Sequence, residues 1–439
     1  MKRDLSKHLV EWKQNPDRKP LLLLGACQVG KTHLLKAFGK QHYTRTAYLN
    51  FEETPELKEL FNSERRPAEL LKTLSIYVGF TITPQQDLLI LDEIQESNAA
   101  LTSLKYFHEH ANQYHIVGAG SLLGVQLSKP GSFPVGQVNL QTLYPMSFLE
   151  YLEAMGKSLY RERIETVKQP EPLPELIHTE LIKQLRHYLF TGGMPEVVRT
   201  FRDDSNPAKI RRLQKEILRS YELDFGKHAG ATDIPKINLI WDSIPRHLGR
   251  ENKKFMFSAV KSGARAREYE NALNWLEGAG LLLKCSLSDS NRMPLKAFIQ
   301  RDAFKVYLLD VGLLGAMVNL DAQILVRGDA IFNDFKGSYT ENFIAQQLRI
   351  MFPGELVYWR SENRAEIDFL IEAGQRLYPL EVKSGINPRS KSLQEYRRRY
   401  QPELSIRSTL QNLKYDGEIL NIPLYAINNL PNYLSSFQS

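Results

Sequence analysis

Short apolar runs separated by stretches of helical period fill the first third of the chain. The runs are Leu21 to Leu24, Thr46 to Phe51, Leu88 to Leu91, His115 to Gly118 and Val138 to Leu143. Between them, Thr32 to Gly39 and Leu101 to Ala111 repeat their apolar positions every three to four residues. Apolar runs of strand length alternating with helices predict an α/β fold with a parallel sheet. A polar, proline-containing stretch around Gln169 to Pro174 reads as a connection, and helical patterns dominate from there to about Gly280. A second strand-rich block starts near Phe304, with strands expected around Glu355 to Arg360, Glu366 to Ile371 and Leu377 to Val382.

Composition narrows the class. At 439 residues the chain is too long for one ordinary core, and its 42% hydrophobic and 24% charged residues are those of a globular protein. No apolar run approaches the roughly 20 residues of a membrane-spanning helix. The first residues, MKRDLSKHLVEWKQ, are charged and amphipathic without a signal-peptide core, so the expectation is a cytoplasmic protein with no membrane partner. Two cysteines, Cys27 and Cys285, make neither a disulfide framework nor a zinc site. The net charge of +7 is localised: residues 181–300 hold 21 Lys and Arg against 13 Asp and Glu, while the flanking regions are close to balanced. Such an excess fits a nucleic-acid contact and, equally, a solvated basic face.

The stretch Gly25-Ala26-Cys27-Gln28-Val29-Gly30-Lys31-Thr32 follows the run LLLL and opens a helix. That is the setting a phosphate-binding loop needs, because backbone N–H groups and the helix N-terminus must face the phosphates. Gly25, Gln28, Val29 and Gly30 would shape the loop, Lys31 would hold the β- and γ-phosphates of ATP, and Thr32 would ligate Mg²⁺. The run Leu88 to Leu91 ends in Asp92-Glu93, where Asp92 would fix the Mg²⁺ and Glu93 would polarise the attacking water. A third polar group is expected on the strand between these two. Ser121, closing YHIVGAGS, is the candidate, although a serine in a glycine turn equally serves turn chemistry.

Near the other end, EIDFLI sets Asp368 on the face opposite Ile367 and Phe369, and LEVKS sets Glu381 and Lys383 on one face. Their spacing suits two strands joined by a turn at Ala373 to Gln375. Two acids and a lysine at adjacent strand ends are what a metal-dependent phosphodiesterase uses: Asp368 and Glu381 would hold Mg²⁺, with Mn²⁺ as an alternative, and Lys383 would steady the phosphorane charge. Solvated charges on edge strands are the other reading, although Leu380 and Val382 leave only one face for them.

In the basic middle, Ile234 to Leu248, a turn at Phe257 to Val260, Arg265 to Glu277, the strand-like LLLKCSL and the polar DSNRMP follow the order of a winged helix-turn-helix. Lys261, Arg265 and Arg267 would meet DNA, while Tyr269, Leu273 and Leu276 keep a packing face. A lid or interaction module without DNA contact is the alternative.

The stretches GACQVGKT, LLILDEIQ, GSLL, LYPMSFLEYL, FTGGMPEVV, VYLLDVGLL, GSYTENFIAQQL and YWRSENRAEIDFLI followed by YPLEVKSG resemble bacterial and archaeal AAA+ family ATPases with a C-terminal domain of unknown function similar to PD-(D/E)xK restriction endonucleases. The resemblance implies a P-loop parallel-sheet ATPase domain over 1–155, a helical lid over 156–232, a winged-helix-like domain over 233–300 and a restriction-endonuclease-like α/β domain over 301–439. It further implies that Glu341 is an additional acid of the metal site. Two positions depart from the family pattern, Cys27 and Gln137, each standing where members commonly have arginine. The second departure weakens the expectation of a homo-oligomer in which one subunit completes its neighbour's site. Two functions follow: an ATP-driven enzyme acting on DNA, or a nucleotide-dependent switch whose C-terminal domain only binds DNA or a protein partner.

Overall fold

The computed structural model describes residues 1–121, 133–167, 169–230, 232–250, 253–321, 333–352, 354–362, 365–385 and 390–437. Leu122 and Leu123 of the GSLL stretch, and Asn363 and Arg364 of YWRSENRAEIDFLI, lie outside them. The chain divides into two compact units, Lys2–Tyr144 with Gly278–Gly280, and Pro145–Glu277 with Leu281–Ser439. Among the described residues no helix is long and apolar enough to cross a membrane.

The first unit is built on strands β1 (Leu21–Gly25), β2 (Arg45–Asn50), β3 (Asp87–Asp92), β4 (His115–Ser121) and β5 (Asn139–Thr142). They run in the order β2-β3-β4-β1-β5, and every pairing is parallel. Every residue of β1 and β3 is buried, as continuous apolar strands covered on both faces require. This is a parallel-sheet P-loop ATPase fold. Its order brings the ends of β1, β3 and β4 side by side, with β4 in the middle. The candidate residues therefore gather at the C-terminal edge of the sheet, where open α/β sheets place their ligands.

The second unit carries a mixed sheet of β6 (Leu282–Ser288), β7 (Ile299–Leu308), β8 (Leu356–Arg360), β9 (Glu366–Ala373), β10 (Arg376–Val382), β11 (Ser405–Thr409), β12 (Lys414–Tyr415) and β13 (Ile419–Pro423). Their order is β12-β13-β11-β10-β9-β8-β6-β7. The helices Ile234–Leu248, Phe257–Val260 and Ala266–Gly278 do precede an antiparallel β6–β7 hairpin. That hairpin is not a separate wing, however. β6 pairs in parallel with β8 from Cys285↔Leu356 to Ser288↔Trp359, so one sheet crosses the boundary expected at residue 300. The reason is in β6 itself: Leu282, Leu283, Cys285 and Ser286 are all buried, leaving no wet face for a free wing.

Several stretches that carry the family resemblance meet inside this unit. Asp310 of VYLLDVGLL accepts the Gly193 N–H of FTGGMPEVV at 2.6 Å and the Gln346 amide of GSYTENFIAQQL at 3.3 Å. Gln347 accepts the Phe148 N–H of LYPMSFLEYL at 3.0 Å. A Cβ on Gly192, which has a φ of +72°, would meet Asp310 Oδ1 at 2.1 Å, so only glycine fits there. These motif residues hold the unit together and are not part of either candidate site.

Candidate functional site

The phosphate loop is shaped by two local constraints. A Cβ on Gly25 would lie 2.4 Å from the Leu143 carbonyl oxygen, so the loop can begin only with glycine. Gln28 and Gly30 then take positive φ values of 65° and 94°, turning the chain into the helix Lys31–His42. Lys31 is buried, and its Nζ donates to the carbonyls of Gly25 and Ala26, each at 3.0 Å. The ammonium is thus held over the loop by acceptors that phosphate oxygens could replace.

Thr32 Oγ1 donates to Asp92 Oδ2 at 2.7 Å. The Tyr48 hydroxyl donates to the same oxygen at 2.8 Å, and the Glu93 N–H donates to Asp92 Oδ1 at 3.1 Å. Glu93 sits in left-handed backbone, φ 50°, and Gln95 Nε2 donates to its Oε2 at 2.6 Å. Burial pushes the Glu93 carboxyl above its ordinary range, while the Gln95 amide and the Lys31 ammonium pull it back. Ser121 enters through its backbone, whose N–H donates to Gln95 Oε1 at 3.3 Å. Gln137, at the position where the resemblance led to an expectation of arginine, is bonded to His108. Sequence reasoning missed Tyr48 and Gln95. The signal for Tyr48 was present in β2, where Thr46, Tyr48 and Asn50 alternate as a polar face.

In the second unit, β9 and β10 form a tight hairpin whose turn residues Gly374 and Gln375 have φ values of 53° and 61°. Leu380 pairs with Phe369, so the next facing pair is Glu381 and Asp368. Asp368 Oδ2 accepts the Val382 N–H at 2.7 Å. Glu381 Oε1 pairs with Lys383 Nζ at 2.6 Å, whereas its Oε2 is buried with no hydrogen-bond partner. The expectation of a free face is corrected: Asp368, Glu381 and Glu341 are all buried, because the helix Asn333–Met351 packs over β7 and β10.

Glu341 is paired with cations. Its carboxylate is bound by Lys253 and by the Tyr307 hydroxyl at 3.2 Å, with Lys305 Nζ 4.0 Å away. Lys305, fully buried, also pairs with Glu366 at 2.6 Å. Among the described residues no group of three or more His, Cys, Asp or Glu is arranged to hold a metal ion. In the pair Asp368 and Glu381, the buried Glu381 Oε2 is a hard oxygen donor without a hydrogen-bond partner, an atom that a divalent ion could take. Burial, then Glu341 and Glu381, raises the Asp368 carboxyl well above its ordinary range. Burial works against the Lys383 ammonium, but Glu381 overcomes it and keeps the group charged. Lys253, Lys305, Tyr307 and Glu366 were missed in the sequence. Lys305 left a trace, as a lone charge inside the apolar run AFKVYLL must be paired if that run is buried.

Lys261, Arg265 and Arg267 are exposed, while Tyr269, Leu273 and Leu276 are buried. The basic side chains thus lie on the open side of this helical region.

Residues 17–152 match a family described as an AAA domain. Residues 182–324 and 336–427 match two domains of unknown function, DUF8612 and DUF4143. Two uncharacterized proteins, from Mycobacterium bovis and Mycobacterium tuberculosis, are each 32% identical over 90 residues, 20% of this chain and 20% of theirs. The match thus spans about a fifth of the length of these curated relatives. Among solved structures, a Walker-type ATPase of Pyrococcus abyssi is 13% identical over 71% of this chain and 94% of its own, with a TM-score of 0.46. The Aeropyrum pernix ORC1 protein in complex with DNA is 13% identical over 72% of this chain and 90% of its own, with a TM-score of 0.31. The AAA-domain match covers the stretch that forms the parallel sheet and the phosphate loop of the first unit.

Proposed function

We propose that the chain is an ATP-hydrolysing protein acting on DNA, in which nucleotide turnover gates a nuclease-like C-terminal site. The observation that carries this reading is the contact of Thr32 with Asp92 beside Lys31 and Glu93, four groups with distinct tasks at one sheet edge. On ATP binding, Lys31 exchanges the Gly25 and Ala26 carbonyls for the β- and γ-phosphates. Thr32 and Asp92, joined here by a hydrogen bond, would hold Mg²⁺. The chemistry a bound Mg²⁺ supplies is neutralisation of the charge that develops on the phosphates. Glu93 takes the proton of the attacking water, a task its raised pKa suits.

At the C-terminal site, Asp368 and Glu381 would hold a divalent ion, Mg²⁺ or Mn²⁺, and Lys383 would face the negative charge of a phosphodiester. Lys261, Arg265 and Arg267 would bind the DNA backbone.

The pairing of half-buried Lys253 and buried Lys305 with Glu341 favours a second reading, a nucleotide-dependent switch whose C-terminal domain is a binding platform. ATPase and nuclease assays with and without DNA, in Mg²⁺ and in Mn²⁺, separate the two. DNA-stimulated turnover with a steep salt dependence supports action on DNA. Turnover indifferent to DNA supports the switch.

A further inference from the structure

The side chain of Gln95 lies between two groups that leave its amide only one orientation. The Glu93 carboxylate can only accept, so the Gln95 nitrogen must face it, at 2.6 Å. The Ser121 N–H can only donate, so the Gln95 oxygen must face that, at 3.3 Å. Ser121 is paired in register with Gly25, whose carbonyl holds the Lys31 ammonium. A continuous path therefore runs from the phosphate-binding lysine, through the ends of β1 and β4, to the carboxylate that faces the attacking water.

We propose that Gln95 is a positioning residue for ATP hydrolysis: its amide N–H fixes the Glu93 carboxylate, and its carbonyl anchors that carboxylate to the end of β4. The inference rests on the ATPase reading and deepens it. Glu93 needs such a hold because it follows β3 in left-handed backbone and opens the short helical turn Ile94–Glu96 instead of continuing the strand. Gln95 reaches back from that turn. A carboxylate released from the amide would sample other rotamers, and the water it must orient would lose its place. The anchor on β4 is a main-chain group, so the device does not depend on the side chain of Ser121.

The test is a double-mutant cycle on the full chain. Gln95→Met removes both hydrogen bonds at similar volume, whereas Gln95→Glu keeps an acceptor for the Ser121 N–H and removes the donor to Glu93. Both variants should lower kcat by about 10-fold or more, within the range a general base contributes, with KM for ATP changed less than about twofold. In a Glu93→Gln background, where turnover is read as single-turnover cleavage of labelled ATP, Gln95→Met should have no further effect, because the group it positions is gone. Equal losses in both backgrounds, or a raised KM at unchanged kcat, would overturn the proposal and leave Gln95 a structural residue. If Gln95→Met fails to bind a fluorescent ATP analogue, Gln95→Glu carries the comparison. A wild-type protein without turnover would instead remove the ATPase reading itself, and this inference with it.

Discussion

Thr32 Oγ1 and Asp92 Oδ2, 60 positions apart in the sequence, are joined by a 2.7 Å hydrogen bond that links the first turn after the phosphate loop to the end of β3. The two groups expected to share an ion already share a proton. Lys31 is the only cation in this loop, since Cys27 stands where an arginine is common in the family the sequence resembles. Lys31→Ala should therefore abolish tight ATP binding, read by titration with a fluorescent analogue. Retained affinity would show that the phosphates are held elsewhere.

Glu93→Gln should keep ATP bound and stall turnover, because the amide cannot accept the proton of water. The accompanying loss in kcat is about 10²-fold or greater. Hydrolysis at the wild-type rate in this variant would remove Glu93 as the base, and loss of ATP binding would indicate a disrupted loop.

The contrast between these residues and Gln95 shows how far a sequence can be read. Lys31, Thr32, Asp92 and Glu93 were legible because each follows a strand at a fixed step, and the chemistry restricts the residue type. The parallel sheet was legible from its unbroken apolar runs. Gln95 was not, and Tyr48 showed only as part of a polar strand face, since their roles depend on which strands become neighbours, and only the order β2-β3-β4-β1-β5 settles that. The same holds in the second unit. The turn at Gly374 and Gln375 and the facing of Asp368 with Glu381 follow from strand alternation. The lysines that neutralise the acids come from 253 and 305, far away in sequence; the lone charge of Lys305 in an apolar run signals that it needs a partner, but local periodicity does not say which. The wing failed as a separate element for a related reason: β6 gains a partner, β8, that begins 68 residues after the end of the hairpin's first strand.

Changing Lys261, Arg265 and Arg267 together to alanine should weaken DNA binding equally across sequences. All three side chains are exposed, so the folded structure should tolerate their loss. The slope of log K against log salt should flatten by about 0.9 for each phosphate contact removed. An unaltered slope, measured by fluorescence anisotropy over a salt series, would assign this helical region to a lid or interaction role.

His115 makes the stability of the first unit sensitive to acid. It is buried between the rings of Trp12 and Tyr43, and burial, reinforced by Arg18 and Lys13, pushes its pKa down to about 4. In the unfolded chain its pKa is about 6.5. Between those values the unfolded state binds a proton that the folded state refuses, so this contribution is complete above the upper value and is lost as pH falls toward the lower. His115→Phe keeps a ring in place and removes the titration. Its thermal midpoint should fall less steeply than that of the wild type as pH drops through this window, as read by differential scanning calorimetry.

Asp368→Ala tests the chemistry of the C-terminal site. Asp368 and Glu381 face each other in a buried hairpin, and two carboxylates so placed need a cation or a proton between them. Burial and its acidic neighbours push the Asp368 carboxyl well above its ordinary range. An ion held there competes with a proton on that carboxyl, so its affinity should rise with pH. Asp368→Ala should eliminate both that binding and any divalent-dependent DNA cleavage, while ATP turnover at Lys31 and Glu93 continues, because the two sites belong to separate compact units. Lys383→Met should spare ion binding and lose cleavage, since its ammonium bears on the phosphate. Calorimetry with Mn²⁺ at two pH values, beside cleavage assays on single-stranded, duplex and branched DNA, decides the matter. Should the wild type neither bind Mn²⁺ in an Asp368-dependent way nor cleave any of these substrates, the lysines at 253, 305 and 383 are the acids' permanent partners, and the domain is a binding platform.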